Sequence, residues 1–205
     1  MQYIELREKL KDFIIFSLSD IREIEHGFHR RRLNDWQDKG YIRKVVKGYY
    51  IFSDLNVNEK ILFRIANKIY DPSYVSFEMA LSCHRLIPES VYGITSASTR
   101  RTRAFKTKIS DFTYKTVKPG LFFGYVIAGD DDKKYKIASP EKAVLDYFYL
   151  NPSLKKPADF ESIRINKEIF DKVVDRNKFC DYLDRFDSKA LAKRVSGFLE
   201  FMKDA

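Results

Sequence analysis

Residues 28–52 read FHRRRLNDWQDKGYIRKVVKGYYIF, and this stretch decides the fold. Phe28, Arg32, Leu33 and Trp36 fall on one side of a helix predicted over residues 28–39, at i, i+4, i+5 and i+8. Gly40 closes that helix, because glycine tolerates the left-handed conformation at a helix C-terminus. Two β-rich runs follow, 41–46 and 49–52. The two residues between them, Lys47 and Gly48, predict a tight hairpin.

Upstream, Leu6, Leu10, Phe13 and Ile14 recur at helical spacing and predict a first helix over residues 4–16. Ser17 and Asp20 form a Ser-x-x-Asp capping pair that starts a short second helix, with Ile21 and Ile24 facing inward and Glu25-His26-Gly27 ending it. Three helices and then a basic hairpin are the plan of a winged helix-turn-helix. The expectation is such a unit over residues 1–55, bounded by the polar break Asp54-Leu55-Asn56-Val57-Asn58.

That unit carries the candidate binding residues. Arg30, Asn34 and Gln37 lie at i, i+4 and i+7 on one exposed stripe, and Arg31 shares a neighbouring stripe with Asp38. The start of such a helix enters the DNA major groove. There arginine pairs with guanine edges, and Asn or Gln with adenine. Arg30, Arg31 and Arg32 also set positive charge beside phosphates, and Arg43, Lys44 and Lys47 charge the hairpin. Base contacts specify and phosphate contacts fix register. Arg30, Arg31 and Asn34 are therefore expected to govern specificity, and Lys44 and Lys47 affinity and its salt dependence. The alternative is a merely solvated basic helix face.

Beyond residue 55 the pattern predicts a mixed α+β domain over 56–205. Helices are expected over 59–69 and 77–86, with a short extended stretch at 74–76 between them. Strands are expected over 91–97, 111–117, 121–128 and 135–138. Pro119-Gly120 and Gly129-Asp130-Asp131-Asp132 supply turns. Ser139-Pro140-Glu141 starts a helix running to about Leu150, with serine as N-cap and proline in the first turn. Residues 158–205 read as helical, the last helix starting near Asp187-Ser188. The fold class is therefore α+β: an N-terminal winged helix-turn-helix, then a mixed domain with a helical C-terminal segment.

Composition narrows the function. The 205 residues carry a net charge of +9, which suits a polyanionic partner. The charge is concentrated in residues 26–52 and in a second cluster: Arg100, Arg101, Arg103, Lys106, Lys108, Lys115 and Lys118, against Asp111 alone. That cluster could extend a DNA footprint, grip an acidic or nucleic-acid-like surface of a protein partner, or be a solvated loop. No apolar run approaches the roughly 18 residues of a membrane span, and no signal-peptide pattern opens the chain. Two cysteines, Cys83 and Cys180, read as free buried thiols, and a cytoplasmic location is expected.

Catalytic patterns are missing. There is no Gly-rich phosphate loop, nucleophile elbow or His-Glu-x-x-His, and His26, His29 and His84 lack zinc-ligand spacing. Asp130-Asp131-Asp132 lacks the spaced ligands of a calcium loop. Glu141 and Asp146, five apart, lie on different helix faces. Pro140, Glu141, Lys142, Leu145 and Asp146 read as capping and packing a helix. The expectation is a protein with no enzymatic activity, cofactor or metal.

Several blocks together resemble the AbiEi family of antitoxins, from type IV toxin–antitoxin and abortive-infection systems. They are residues 74–82 (YVSFEMALS), 86–89 (LIPE), 92–96 (YGITS), the basic run to Phe105, and 135–146 (YKIASPEKAVLD). Residues 33–42 (LNDWQDKGYI) and 48–50 (GYY) extend the likeness into the N-terminal unit. It stops at about Asn151. The resemblance implies a DNA-binding domain that represses the antitoxin–toxin operon, double-stranded promoter DNA (inverted repeats) as partner, and a C-terminal domain required for antitoxicity. It implies a functional partner toxin resembling a nucleotidyltransferase, counteracted without a stable complex. Two other readings remain: a winged-helix regulator with a ligand-sensing C-terminal domain, and a metal-dependent nuclease in which Asp111, Glu141 and Lys142 would have to converge.

Overall fold

Leu6 and Leu10, one turn apart, are both fully buried, and they seat the first helix, α1 (Tyr3–Lys9). A computed structural model describes residues 2–129 and 133–204 of the chain. The helix stops well short of the predicted Phe16. Phe16 and Ser17 instead form a two-residue strand, β1 (Phe16–Ser17), paired with Tyr50 and Tyr49. Phe16 then packs its ring 4.8 Å from that of Phe52. A long-range pairing outweighs local helical propensity here.

The predicted capping box forms as read. The Asp20 amide donates to Ser17 Oγ at 3.3 Å and the Ser17 amide to the Asp20 carboxylate at 2.6 Å, starting α2 (Leu18–Ile24). The third helix, α3 (Arg31–Asp38), begins three residues later than predicted, because Phe28 closes a turn onto the Glu25 carbonyl and His29 opens a new one that accepts from Arg32. Leu33 and Trp36 are its buried residues. Gly40 adopts φ +72° and ends it.

The hairpin joins β2 (Ile42–Val46) to β3 (Tyr49–Phe52), with Gly48 at φ +90° in the turn. The small sheet has the order β1-β3-β2. The ladder shifts register between Lys44 and Val46, so Val45 is the extra residue of a bulge. Strand alternation splits the hairpin between two cores. Ile42, Tyr50 and Phe52 join Leu6, Leu10, Phe16, Ile21, Phe28, Leu33 and Trp36. Val45 and Ile51, with Ile15, face a second and larger core.

That larger core is built around a six-stranded sheet. Asn58 caps α4 (Glu59–Ile69), which leads into β4 (Ser73–Val75) and α5 (Phe77–Cys83). Then come β5 (Ile94–Ser98), β6 (Arg103–Lys106), β7 (Asp111–Thr116), a 3₁₀ turn at Pro119–Leu121, β8 (Tyr125–Ala128) and β9 (Tyr135–Ala138). The strand order is β6-β7-β5-β4-β9-β8, with β4/β9 and β5/β7 parallel and the rest antiparallel. Strand β6 was not foreseen. The predicted strand over 121–128 is a 3₁₀ turn and then the shorter β8.

Ser139 caps α6 (Pro140–Leu150), as predicted. Four further helices close the chain: α7 (Pro157–Ile163), α8 (Lys167–Val173), α9 (Arg176–Arg185) and α10 (Lys189–Asp204). Phe148, Phe160, Phe170, Phe179 and Phe198 knit them to α6 within the larger core, with Phe148 and Phe198 ring centroids 4.9 Å apart. The class is mixed α+β, with ten α-helices and two sheets among the described residues. Among them no helix is long and apolar enough to cross a membrane. The expected acidic turn at Asp130, Asp131 and Asp132 lies outside the described residues. Both cysteines are free thiols, but Cys83 is half-buried and Cys180 exposed, so neither is the fully buried thiol expected.

Candidate nucleic-acid interface

Burying Leu33 and Trp36 fixes which face of α3 turns outward. Arg30, Arg31 and Asn34 are exposed at its N-terminal end. The hairpin adds the exposed Lys44 and Lys47. Among the described residues none of these five side chains has an ion-pair or hydrogen-bond partner. No acidic residue sits in the first turn of α3, so its positive dipole end is uncompensated by a carboxylate there. The turn before the helix already takes up amides, Arg32 N–H donating to the His29 carbonyl and Leu33 N–H to that of Arg30.

Three residues expected at this surface do other things. Arg32 lies over the Phe28 and Trp36 rings, at 5.3 and 5.4 Å, and pairs with Glu25 at 3.7 Å. It is a half-buried clamp between the α2–α3 turn and α3. Gln37 is half-buried and donates from Nε2 to the Leu33 carbonyl at 3.1 Å, so one amide hydrogen is engaged. Arg43 is half-buried; it stands opposite Ile51, on the side of the hairpin that faces the larger core, and donates to the Leu55 carbonyl at 3.4 Å. Strand alternation separates it from Lys44. Arg30, Arg31, Asn34, Lys44 and Lys47 are thus exposed and without partners among the described residues, whereas Arg43 is half-buried and bonded.

The second cluster has its own geometry. Arg100 and Arg101 are exposed on the turn from β5 into β6, Arg103 is exposed at the start of β6, and Lys106 ends β6, an edge strand. Arg100 lies 4.2 Å from the Tyr70 ring centroid and Arg103 4.8 Å from that of Phe105.

The blocks at 74–82 and 135–146 meet inside the larger unit. Tyr74 OH and Ser76 Oγ each donate to Asp146 Oδ2 at 2.8 Å, and Lys142 Nζ donates to Asp146 Oδ1. The Lys142 ammonium also faces the rings of Phe186, Phe123 and Tyr74 at 4.7–5.7 Å. Burial drives Lys142 down and Asp146 up, against their mutual attraction. Next to them, Glu141 accepts from Ser139 Oγ at 2.6 Å, Lys178 Nζ at 2.9 Å and the Asp175 amide at 3.1 Å. His84 Nε2 donates to the Ala138 carbonyl at 2.8 Å, which fixes its tautomer, since a carbonyl only accepts. All of these side chains except His84 and Lys178 are buried.

This cluster ties α6 to β4, α5 and α9. Sequence reading recognised its caps and missed its burial, because the i, i+4 spacing of Lys142 and Asp146 does not reveal that Tyr74 and Ser76 close over them. The Asp111 of the nuclease reading is exposed at the start of β7. Among the described residues no group of three His, Cys, Asp or Glu side chains is placed to hold a metal ion. No protein-family model matches this chain, and no curated protein matches it either.

Proposed function

We propose that this protein is a DNA-binding antitoxin that represses its own operon and counteracts a nucleotidyltransferase-like toxin. The observation that carries the DNA half is the exposed trio Arg30, Arg31 and Asn34 at the start of α3, unpaired among the described residues and joined by Lys44 and Lys47 on the hairpin. The order α1-β1-α2-α3-β2-β3 agrees with a winged helix-turn-helix, in which α3 enters the major groove. Arg30 and Arg31 then offer bidentate donors to guanine and Asn34 to adenine, while Lys44 and Lys47 neutralise phosphates. The antitoxin half rests on the resemblance of residues 74–150 to the AbiEi family.

Footprinting on the protein's own promoter tests the first half. The wild-type chain is expected to protect inverted repeats, and Arg30→Ala/Arg31→Ala to leave them open. Co-expression with the product of an adjacent nucleotidyltransferase-like gene tests the second: growth is rescued by the wild type, and absence of rescue contradicts the antitoxin reading.

A further inference from the structure

The turn from β5 into β6 is held more firmly than a solvated basic loop requires. Ser98 is buried; its Oγ donates to the Pro72 carbonyl at 2.7 Å and accepts from the Arg100 amide at 3.1 Å. Tyr70, also buried, donates to the Arg101 carbonyl at 2.7 Å. Thr116 Oγ1 donates to the Arg100 carbonyl at 2.8 Å and lies 3.0 Å from Thr102 Oγ1. The backbone of the arginine run is thus pinned by three side chains, Ser98, Tyr70 and Thr116, from three neighbouring segments.

The guanidinium groups are oriented as well. Arg100 lies over Tyr70 and donates one hydrogen bond, at 3.1 Å, to the Asp71 backbone carbonyl, which leaves its charge unneutralised. Arg103 lies over Phe105. A guanidinium resting on a ring keeps its edge donors free, in the fork geometry that matches phosphate. Tyr70, Thr99, Arg100, Arg101, Thr102 and Arg103 line an open hollow of about 630 Å³, with no carboxylate among them. The nearby Asp71 carboxylate faces Lys136 at 3.9 Å. Among the described residues none of the three arginines has an ion-pair partner.

We propose that this turn is a phosphate-binding site that takes the backbone of duplex DNA, separate from the α3 surface and independent of base sequence. Three unneutralised cations on an open, polar, pre-arranged turn suit a repeating polyanion, because fixing the cations beforehand reduces the ordering cost of binding. The site adds affinity without adding sequence information.

The test uses the full chain with Arg101→Gln/Arg103→Gln, both exposed, leaving the Arg100–Tyr70 stack in place. Binding to a random-sequence duplex and to the promoter is measured by fluorescence anisotropy across a salt series. Each lost phosphate contact lowers the slope of log K against log salt by about 0.9, so the double variant is expected to lower it by about 2 on both DNAs. Arg101→Lys/Arg103→Lys keeps the charge and is expected to keep the slope. An unchanged slope in the Gln variant, with an unchanged melting temperature, overturns the proposal and leaves the α3 reading standing. Loss of promoter preference in Asn34→Ala with its slope unchanged, together with a lowered slope and kept promoter preference in the Gln variant, supports both. Stabilisation of the wild type by millimolar inorganic phosphate, without any slope change in the Gln variant, overturns the assignment to DNA.

Discussion

Lys142 and Asp146, one turn apart on α6, form an ion pair with neither side chain exposed to solvent. Such a pair is held by its surroundings. Asp146 is satisfied by Tyr74 and Ser76, and the ammonium is walled by Phe123, Phe186 and Tyr74. The pair fastens the central strand β4 to α6, and through Glu141 and Asp175 α6 is fastened to α9.

Removing one partner strands the other charge in a dry site. Asp146→Asn and Lys142→Met are each expected to cost about 3–5 kcal/mol in urea unfolding. Lys142→Met/Asp146→Leu should recover part of that, and only part, because Tyr74 OH and Ser76 Oγ lose their acceptor.

Gly124, just before β8, lies close against this cluster. Its φ is +71°, and a Cβ there would meet Tyr182 Cε2 at 2.8 Å and Lys142 Cβ at 3.1 Å. Gly124→Ala is expected to destabilise the chain by about 1–3 kcal/mol, read as a lower urea midpoint. An unchanged midpoint would show that the backbone at Gly124 is not pressed against Tyr182 and Lys142.

Acid should loosen the same region in two stages. Burial holds His84 below the usual histidine range, outweighing its bond to Ala138. Burial would raise Glu141, but Ser139, Lys178 and the Asp175 amide hold it below the usual carboxylate range. Both folded-state values are depressed, so both groups contribute stability at neutral pH. The His84 part is lost as pH falls below about 6.5, and the Glu141 part below about 4.5. Urea midpoints at stepped pH check this: His84→Gln should flatten the first stage and leave the second.

The two thiols should react in order. Burial, and then the nearby Glu59 carboxylate, push Cys83 up to about 12. Cys180 is exposed. A thiol-specific reagent at pH 8 is expected to label one equivalent in the folded protein, at Cys180, and the second only after unfolding. Fast labelling of both would contradict the packing of α5.

The local devices were readable in the sequence, and the long-range ones were not. The Ser17–Asp20 box, the Ser139 cap and the Lys47-Gly48 turn depend on residues within a few positions of each other. Strand β1 depends on Tyr49 and Tyr50, more than thirty positions away, so Phe13–Phe16 passed for the end of a helix. In the fold, Ile15 and Phe16 enter different cores. Strand β6 hid in a charge run, because only Phe105 of its four residues turns partly inward. At the candidate interface, helical periodicity found Arg30, Arg31 and Asn34. It could not foresee that Arg32 is drawn onto Phe28 and Trp36, or that Arg43 lies on the Ile51 side of the hairpin and bonds the Leu55 carbonyl.

Asn34 separates base reading by the outer face of α3 from phosphate contact by the hairpin. Asn34→Ala and Lys47→Ala are compared on a promoter duplex and a random duplex at several salt concentrations. The account predicts that Asn34→Ala weakens promoter binding by about 1–3 kcal/mol and leaves random binding unchanged. It predicts that Lys47→Ala weakens both and lowers the salt slope by about 0.9. Equal losses on both duplexes for Asn34→Ala would contradict it.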